Sequence, residues 1–176
     1  MCLLCQYEGY EFCHQGSGYL CRSSAEGGSV LKGETIVKCH RISEGKAAGE
    51  VLISQDDILF YLTDPESGRV LEKGHSLEGK SVAGKVLVFP AGKGSSSVQV
   101  DGLYQLMIRG NAPKAMIIER PDTILVTSAI IMEIPLVDQV DPLFYELIKD
   151  GDCVVVDADQ EQITIIPKDR SPGQVD

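Results

Sequence analysis

Three short apolar segments alternate with two helical segments between residues 86 and 137, and this alternation restricts the fold more than any other feature. The apolar segments, residues 86–89, 115–118 and 134–137, are too short for buried helices and have the unbroken apolar character of strands covered on both faces. Helices are predicted over residues 97–109 and 122–132 between them. A strand, helix, strand, helix, strand order is typical of a right-handed parallel α/β unit.

Further strands frame this unit at both ends. Residues 35–39 and 49–53 are β-branched and joined by a polar, glycine-containing turn, so they are predicted to form an antiparallel pair. Residues 153–156 and 162–166 predict a closing hairpin, and Asp141 followed by Pro142 predicts the start of a third helix. The expected fold is an α/β domain with three layers, β/β/α.

Composition and charge exclude several classes of partner. Sixteen Lys and Arg against twenty-six Asp and Glu give a formal net charge of -10, which disfavours nucleic acid and anionic membranes as main partners. No apolar run is long enough to span a bilayer, and the first residues lack the features of a signal peptide. The protein is therefore expected in the cytoplasm.

The chain divides into three parts by composition. Residues 1–33 are rich in Cys and Gly and are predicted to be an extension outside the domain, either disordered or an artefact of a start codon assigned too far upstream. Residues 34–167 are predicted to form the domain, and residues 168–176 a flexible tail.

The cysteines of the extension form a candidate zinc site. Cys2 and Cys5 have CxxC spacing, and Cys13 and Cys21, with His14 as a further candidate, complete the ligand set. Seven residues separate Cys13 from Cys21, which is longer than the regular spacing of a zinc knuckle and argues against metal binding.

Residues 89–97 carry the densest set of candidate functional groups. They leave a buried strand, cross a glycine-rich loop and enter a helix, the place where open parallel sheets bind ligands and helix N-termini favour anions. Lys93 offers a cation, and three serines follow Gly94. The spacing matches neither the Walker nor the dinucleotide pattern, so a linker whose serine only caps the helix is the alternative.

The order of several motifs resembles the small, swivel-type subunit of the aconitase X family. These motifs occupy residues 42–50, 64–68, 77–97, 112–115, 134–138 and 151–152. The resemblance implies a swivelling domain that closes over a separate large subunit, and the two chains together form a hydro-lyase. It assigns an iron-sulfur cluster to the large subunit and no cofactor to this chain.

Residue roles follow from the same resemblance. Ser95 matches the family's proton acceptor, and Lys93, Gly94 and Ser96 would line the substrate, a small anionic hydroxy acid with mevalonate 5-phosphate as first choice. The implied reaction is a dehydration in the mevalonate pathway of isoprenoid biosynthesis. A serine is a weak base unless a closed site stabilises its alkoxide, so the small subunit alone is expected to be inert.

Two segments depart from the family pattern, residues 61–63 and residues 98–100. They keep two alternatives open, a dehydratase for a hydroxyproline-type or other hydroxy acid, and a non-catalytic binding module on the same fold.

Overall fold

The computed structural model describes residues 34–167 in full, and before them only the backbone of three strands. These are β1 (Leu4–Tyr7), β2 (Tyr10–Gln15) and β3 (Gly18–Ser23), which pair in that order as an antiparallel sheet. The predicted extension and tail remain predictions. The side chains of the candidate zinc ligands Cys2, Cys5, Cys13 and Cys21 lie outside the described residues.

The domain is built on one mixed sheet of eight strands. In chain order the strands are β4 (Thr35–Lys38), β5 (His40–Ser43), β6 (Lys46–Ile53), β7 (Val86–Phe89), β8 (Ala115–Ile118), β9 (Leu136–Asp138), β10 (Cys153–Asp157) and β11 (Gln162–Ile166). Their order across the sheet is β4-β11-β10-β6-β7-β8-β9-β5. Strands β6 to β9 run parallel, as the alternating sequence pattern predicts.

Strand β6 belongs to both halves of this sheet. Its first residues, 46–50, pair antiparallel with β10, whereas residues 51–53 pair parallel with β7. Gly49 lies where the partner changes, and a Cβ there would stand 3.2 Å from the backbone oxygen of Gly84. A side chain at this position would therefore push the two backbones apart by a few tenths of an ångström.

The two edge strands of the sheet follow one another in the chain, so the sheet must curl to bring its edges together. The edge strands β4 and β5 are separated only by Cys39, although six strands lie between them in the sheet. The predicted antiparallel pairing of residues 35–39 with residues 49–53 is therefore wrong, since β4 pairs with β11. Strand β5 was not predicted, because its sequence HRIS lacks an apolar alternation.

Curling gives the central strands two apolar cores, one on each face. Val86 and Val88 point into the core enclosed between the two halves of the sheet, and Leu87 and Phe89 into the core beneath the helices. The same alternation runs through β8 and β9. Two β layers and a helical layer result, so the predicted α/β class and three-layer arrangement are confirmed.

Three α-helices and one short 3-10 helix complete the domain. They are a 3-10 helix (Phe60–Leu62), α1 (Ser96–Ile108), α2 (Thr123–Ile131) and α3 (Pro142–Leu147). Asp122 caps α2 by accepting hydrogen bonds from two backbone N–H groups, and Asp141 caps α3 as its sequence predicts. Within the described residues, no helix is long and apolar enough to cross a membrane.

Helix α1 lies directly on the backbone of the 3-10 helix at Gly102. A Cβ on Gly102 would overlap the backbone nitrogen of Tyr61 and the carbonyl carbon of Phe60. Because both obstructing groups are backbone, they cannot swing aside as a flexible side chain would. The absence of a side chain at Gly102 thus sets how closely α1 approaches the neighbouring layer.

We expect Gly102→Ala to destabilise the fold by about 2 kcal/mol or more, since overpacking against backbone forces α1 away. An unobstructed glycine in a helix gives the opposite sign, about 1 kcal/mol of stabilisation on change to alanine. Urea unfolding followed by circular dichroism measures the difference. Asp101→Ala, at an exposed position of the same helix, is the control and should shift stability by less than about 0.5 kcal/mol. A stabilised Gly102→Ala variant would contradict this packing.

Candidate functional site

The glycine-rich loop joins the carboxyl end of β7 to the start of α1. It is tied to a neighbouring segment by two backbone hydrogen bonds, from Ile58 N–H to Ala91 at 2.9 Å and from Lys93 N–H to Ile58 at 3.0 Å. Gly94 has a φ of +101°, and a Cβ there would stand 2.7 Å from a methyl group of Leu59. Both its backbone conformation and the lack of space therefore require glycine.

Ser95 occupies the N-cap of α1 and leaves its side chain unused by the helix. Its backbone is extended, with φ -74° and ψ 160°, and its carbonyl accepts the first hydrogen bond of the helix, from Gln99 N–H at 3.0 Å. Its hydroxyl makes no capping hydrogen bond, although an N-cap serine usually makes one. The residue is exposed, so the hydroxyl is available to another molecule.

The first turn of α1 adds a field that favours anions at this hydroxyl. The first N–H groups of a helix have no partner within it, and the helix dipole places partial positive charge at the same end. Ser96 and Ser97 bring two further exposed hydroxyls. The predicted residues Gly94, Ser95 and Ser96 are therefore brought together at one exposed helix start.

Lys93 is held by the carboxylate of Glu72, a contact that the sequence does not predict. Its Nζ lies 2.6 Å from Glu72 Oε1, and both side chains are partly buried. Hydrogen bonds from Ser76 are the main cause that holds the pKa of Asp56 below its usual value, and the positive charge of Lys93 adds a smaller contribution. The ammonium group therefore has an anionic partner in place, and twenty-one residues separate the two in sequence.

Gln99 connects the loop to its support. Its Nε2 donates to the backbone oxygen of Gly94 at 3.0 Å, and the side chain is buried. Its Oε1 and the Oδ2 atom of Asp122 are both buried without a hydrogen-bond partner. Each lies within 2.8 Å of the point that a Cβ on Gly92 would occupy. Two acceptors, one from α1 and one from the N-cap of α2, thus converge beneath Gly92.

A separate cleft opens at the carboxyl edge of the parallel strands. It has a volume of about 740 Å³, and its walls include Asp56, Asp57, Glu119, Arg120 and Tyr145. Arg120 is paired with Asp57 at 2.8 Å. Burial first, and the negative charges of Glu119 and Asp138 next, raise the pKa of Tyr145 above its usual value. Negative charge dominates here, so the start of α1 is the better position for an anion.

The two histidines of the domain, His75 and His40, make structural contacts. His75 is buried, with its Nδ1 accepting from Leu77 N–H at 3.0 Å and its Nε2 lying 3.2 Å from the carbonyl of Asp57. His75 therefore holds its own segment against the segment around Asp57 instead of facing a cleft. His40 is exposed, and its Nδ1–H donates to the buried Asp138 carboxylate at 2.6 Å across β5 and β9.

The described residues offer no place for a metal cluster. Within residues 34–167, no three His, Cys, Asp or Glu side chains are grouped so that they would hold a metal ion. The cysteines there are Cys39 and Cys153, neither of which forms a disulfide. Burial, followed by the charges of Glu161 and Asp138, raises the pKa of Cys39 to about 11, so its thiol stays protonated and does not suit iron coordination.

Sequence comparison identifies relatives over most of the chain. The sequence profile of the aconitase X swivel domain matches residues 36–165. The phosphomevalonate dehydratase small subunit of Methanocella arvoryzae is 50% identical over 122 residues, which are 69% of this chain and 92% of that protein. The corresponding small subunit of Methanosarcina acetivorans is 49% identical over 137 residues, 77% of this chain and 90% of the relative.

Structural comparison agrees with the sequence. The crystal structure of Thermococcus kodakaraensis aconitase X in its holo-form is 42% identical, with a TM-score of 0.68, and the match covers 75% of this chain and 98% of that one. The predicted resemblance and the swivel-domain fold are thereby confirmed.

Replacing the Oδ2 atom of Asp122 by an amide nitrogen tests how the two acceptors beneath the loop affect stability. We expect Asp122→Asn to be as stable as the wild type or about 1 kcal/mol more stable, because asparagine caps a helix equally well and its amide can donate to Gln99. Asp122→Ala removes the cap and should cost about 1 kcal/mol. Thermal unfolding of the three proteins decides. Equal losses in both variants would show that a bound donor already bridges the two acceptors.

Proposed function

We propose, from the premise that this chain belongs to the aconitase X swivel-domain family, that it is the small subunit of a two-chain dehydratase. The proposal is supported by sequence comparison: about half of the aligned residues are identical to those of phosphomevalonate dehydratase small subunits, over at least nine-tenths of the length of those proteins. The proposed substrate is mevalonate 5-phosphate, and the product is trans-anhydromevalonate 5-phosphate. The partner is an aconitase-X-type large subunit.

The free hydroxyl of Ser95 is the observation that carries the mechanism. In the proposed reaction Ser95 Oγ, as its alkoxide, takes the proton from the carbon next to the departing hydroxyl. The serine then passes this proton to the departed hydroxide, so that one molecule of water leaves in total and the alkoxide is restored. The iron-sulfur cluster implied for the large subunit would supply a Lewis acid for the departing hydroxyl. The proposed contribution of this chain is the base and its surroundings.

The start of α1 explains how a serine can serve as a base. Unpaired N–H groups and the helix dipole stabilise negative charge on Ser95 Oγ and on a phosphate close to it. This stabilisation is strong only when water is excluded, whereas Ser95 is exposed in the single chain. The isolated chain is therefore inert, and closure over the large subunit completes the site.

Lys93, Gly94 and Ser96 are proposed to bind the substrate. Gly94 permits close approach of the loop backbone, and Ser96 offers a hydroxyl and a first-turn N–H group. Lys93 contributes positive charge, and its ion pair with Glu72 keeps its ammonium group close to the loop. Glu72 thus positions the ammonium group of Lys93 and offsets part of its positive charge until an anionic substrate binds.

We expect Ser95→Ala to lower turnover of the assembled enzyme on mevalonate 5-phosphate by about 10³-fold or more, because general base catalysis at this step is lost. Assembly with the large subunit should be unchanged, which size-exclusion chromatography under anaerobic conditions checks. Ser97→Ala, one position beyond the proposed substrate contacts, is the matched control and should retain most activity. Turnover by Ser95→Ala within tenfold of the wild type would remove Ser95 from the mechanism.

The same assay separates the alternatives for the substrate. A complex that dehydrates a hydroxyproline-type acid but not mevalonate 5-phosphate would support the other dehydratase function. Activity on neither substrate, with no large subunit bound, would support a binding module. Of the residues that depart from the family pattern, 61 and 62 lie on the 3-10 helix and 98–100 lie in α1. A Cβ on Gly94 would meet Val98 and Leu59, the residue before the 3-10 helix, so α1 and the chain leading into that helix both contact the serine loop.

A further inference from the structure

Helix α1 presents an apolar stripe to solvent on the side that faces away from the core. Val100, Tyr104 and Ile108 are spaced four residues apart and therefore share one face of the helix. Their exposed fractions are 39%, 46% and 53%. The core side of the same helix buries Leu103 and Leu106 completely. A surface helix normally carries polar residues opposite its core face, so this stripe needs an explanation.

The stripe is continuous with the proposed catalytic serine. A shallow groove of about 420 Å³ is lined by Ser96 and Ser97 from the first turn and by Val100, Asp101 and Tyr104 from the next. Ser95 directly precedes this groove in the chain. Any molecule that covers Ser95 and excludes water from it therefore also reaches the first part of the stripe.

The dimensions of the helix fit a protein interface. Thirteen residues of α1 span about 20 Å at 1.5 Å per residue. A standard interface covers about 800 Å² on each partner, so one that is centred near the serine loop can include the whole stripe. An exposed aromatic residue among aliphatic ones is also typical of the centre of such interfaces.

A second copy of this chain is a poorer occupant than a different protein. Each chain carries a formal net charge of -10, and two like-charged chains repel one another when they approach. The proposed reaction, in contrast, requires a different chain to cover Ser95. We therefore propose that Val100, Tyr104 and Ile108 are a docking surface for the large subunit, an inference that rests on the proposed function.

Tyr104→Glu tests this proposal, because a carboxylate placed in a desolvated interface opposes binding while an exposed position tolerates it in the free chain. Calorimetric titration into the large subunit from the same organism should show binding weakened by about thirtyfold or more. Ile36→Glu is the matched control, since Ile36 is an apolar residue exposed to 61% on edge strand β4. The affinity of Ile36→Glu for the large subunit should stay within about twofold of that of the wild type.

Activity distinguishes docking from catalysis. With excess Tyr104→Glu small subunit, turnover on mevalonate 5-phosphate should return to the wild-type level, because the variant alters assembly and not the base. Circular dichroism of the free variants establishes that both fold.

The outcomes separate this proposal from the proposed function. If the wild type binds the large subunit and Tyr104→Glu binds equally well, the stripe is not the docking surface, although the dehydratase assignment stands. If the wild type does not bind the large subunit, both are overturned. Sedimentation that shows the wild type dimerising through Tyr104 would assign the stripe to self-association and overturn the proposal.

Discussion

The double pairing of strand β6 is the constraint on which the rest of the domain depends. One half of the strand bonds to β10 and the other half to β7, so a single piece of chain holds the two β layers in register. Gly49 permits this change of partner through its close approach to Gly84. The two layers therefore cannot slide past one another, and they enclose a core between them. The two edge strands, β4 and β5, follow one another in the chain.

Strand β7 is buried on both faces, and this burial fixes the start of the glycine-rich loop. Val88 packs into one core and Phe89 into the other, so the carboxyl end of β7 cannot shift without disturbing both. The hydrogen bonds to Ile58 and the contact of Gln99 with Gly94 then fix the loop itself. Ser95 is thus exposed and yet accurately positioned, which is the combination that its proposed role as a base requires.

Local sequence signals predicted the parts of the fold that depend on neighbours in the chain. The parallel strands, the caps at Asp122 and Asp141 and the glycine-rich loop follow from burial, capping and turn chemistry over a few residues. The position of β5 and the pairings of β4 did not, because they depend on how far the sheet curls. Contacts such as Lys93 with Glu72 join distant segments, and residue type alone does not predict which carboxylate a lysine will meet.

The environment of Ser95 is consistent with the proposed division of labour between two chains. A serine alkoxide needs both a fixed positive field and the exclusion of water. The single chain supplies the field through the start of α1, and its exposed surface cannot supply the second condition. A chain that buried Ser95 in its own fold would also bar the substrate. The proposed arrangement, with the base on a swivelling subunit and the Lewis acid on another, would resolve this conflict, because the site would be open for entry and dry only when the two close.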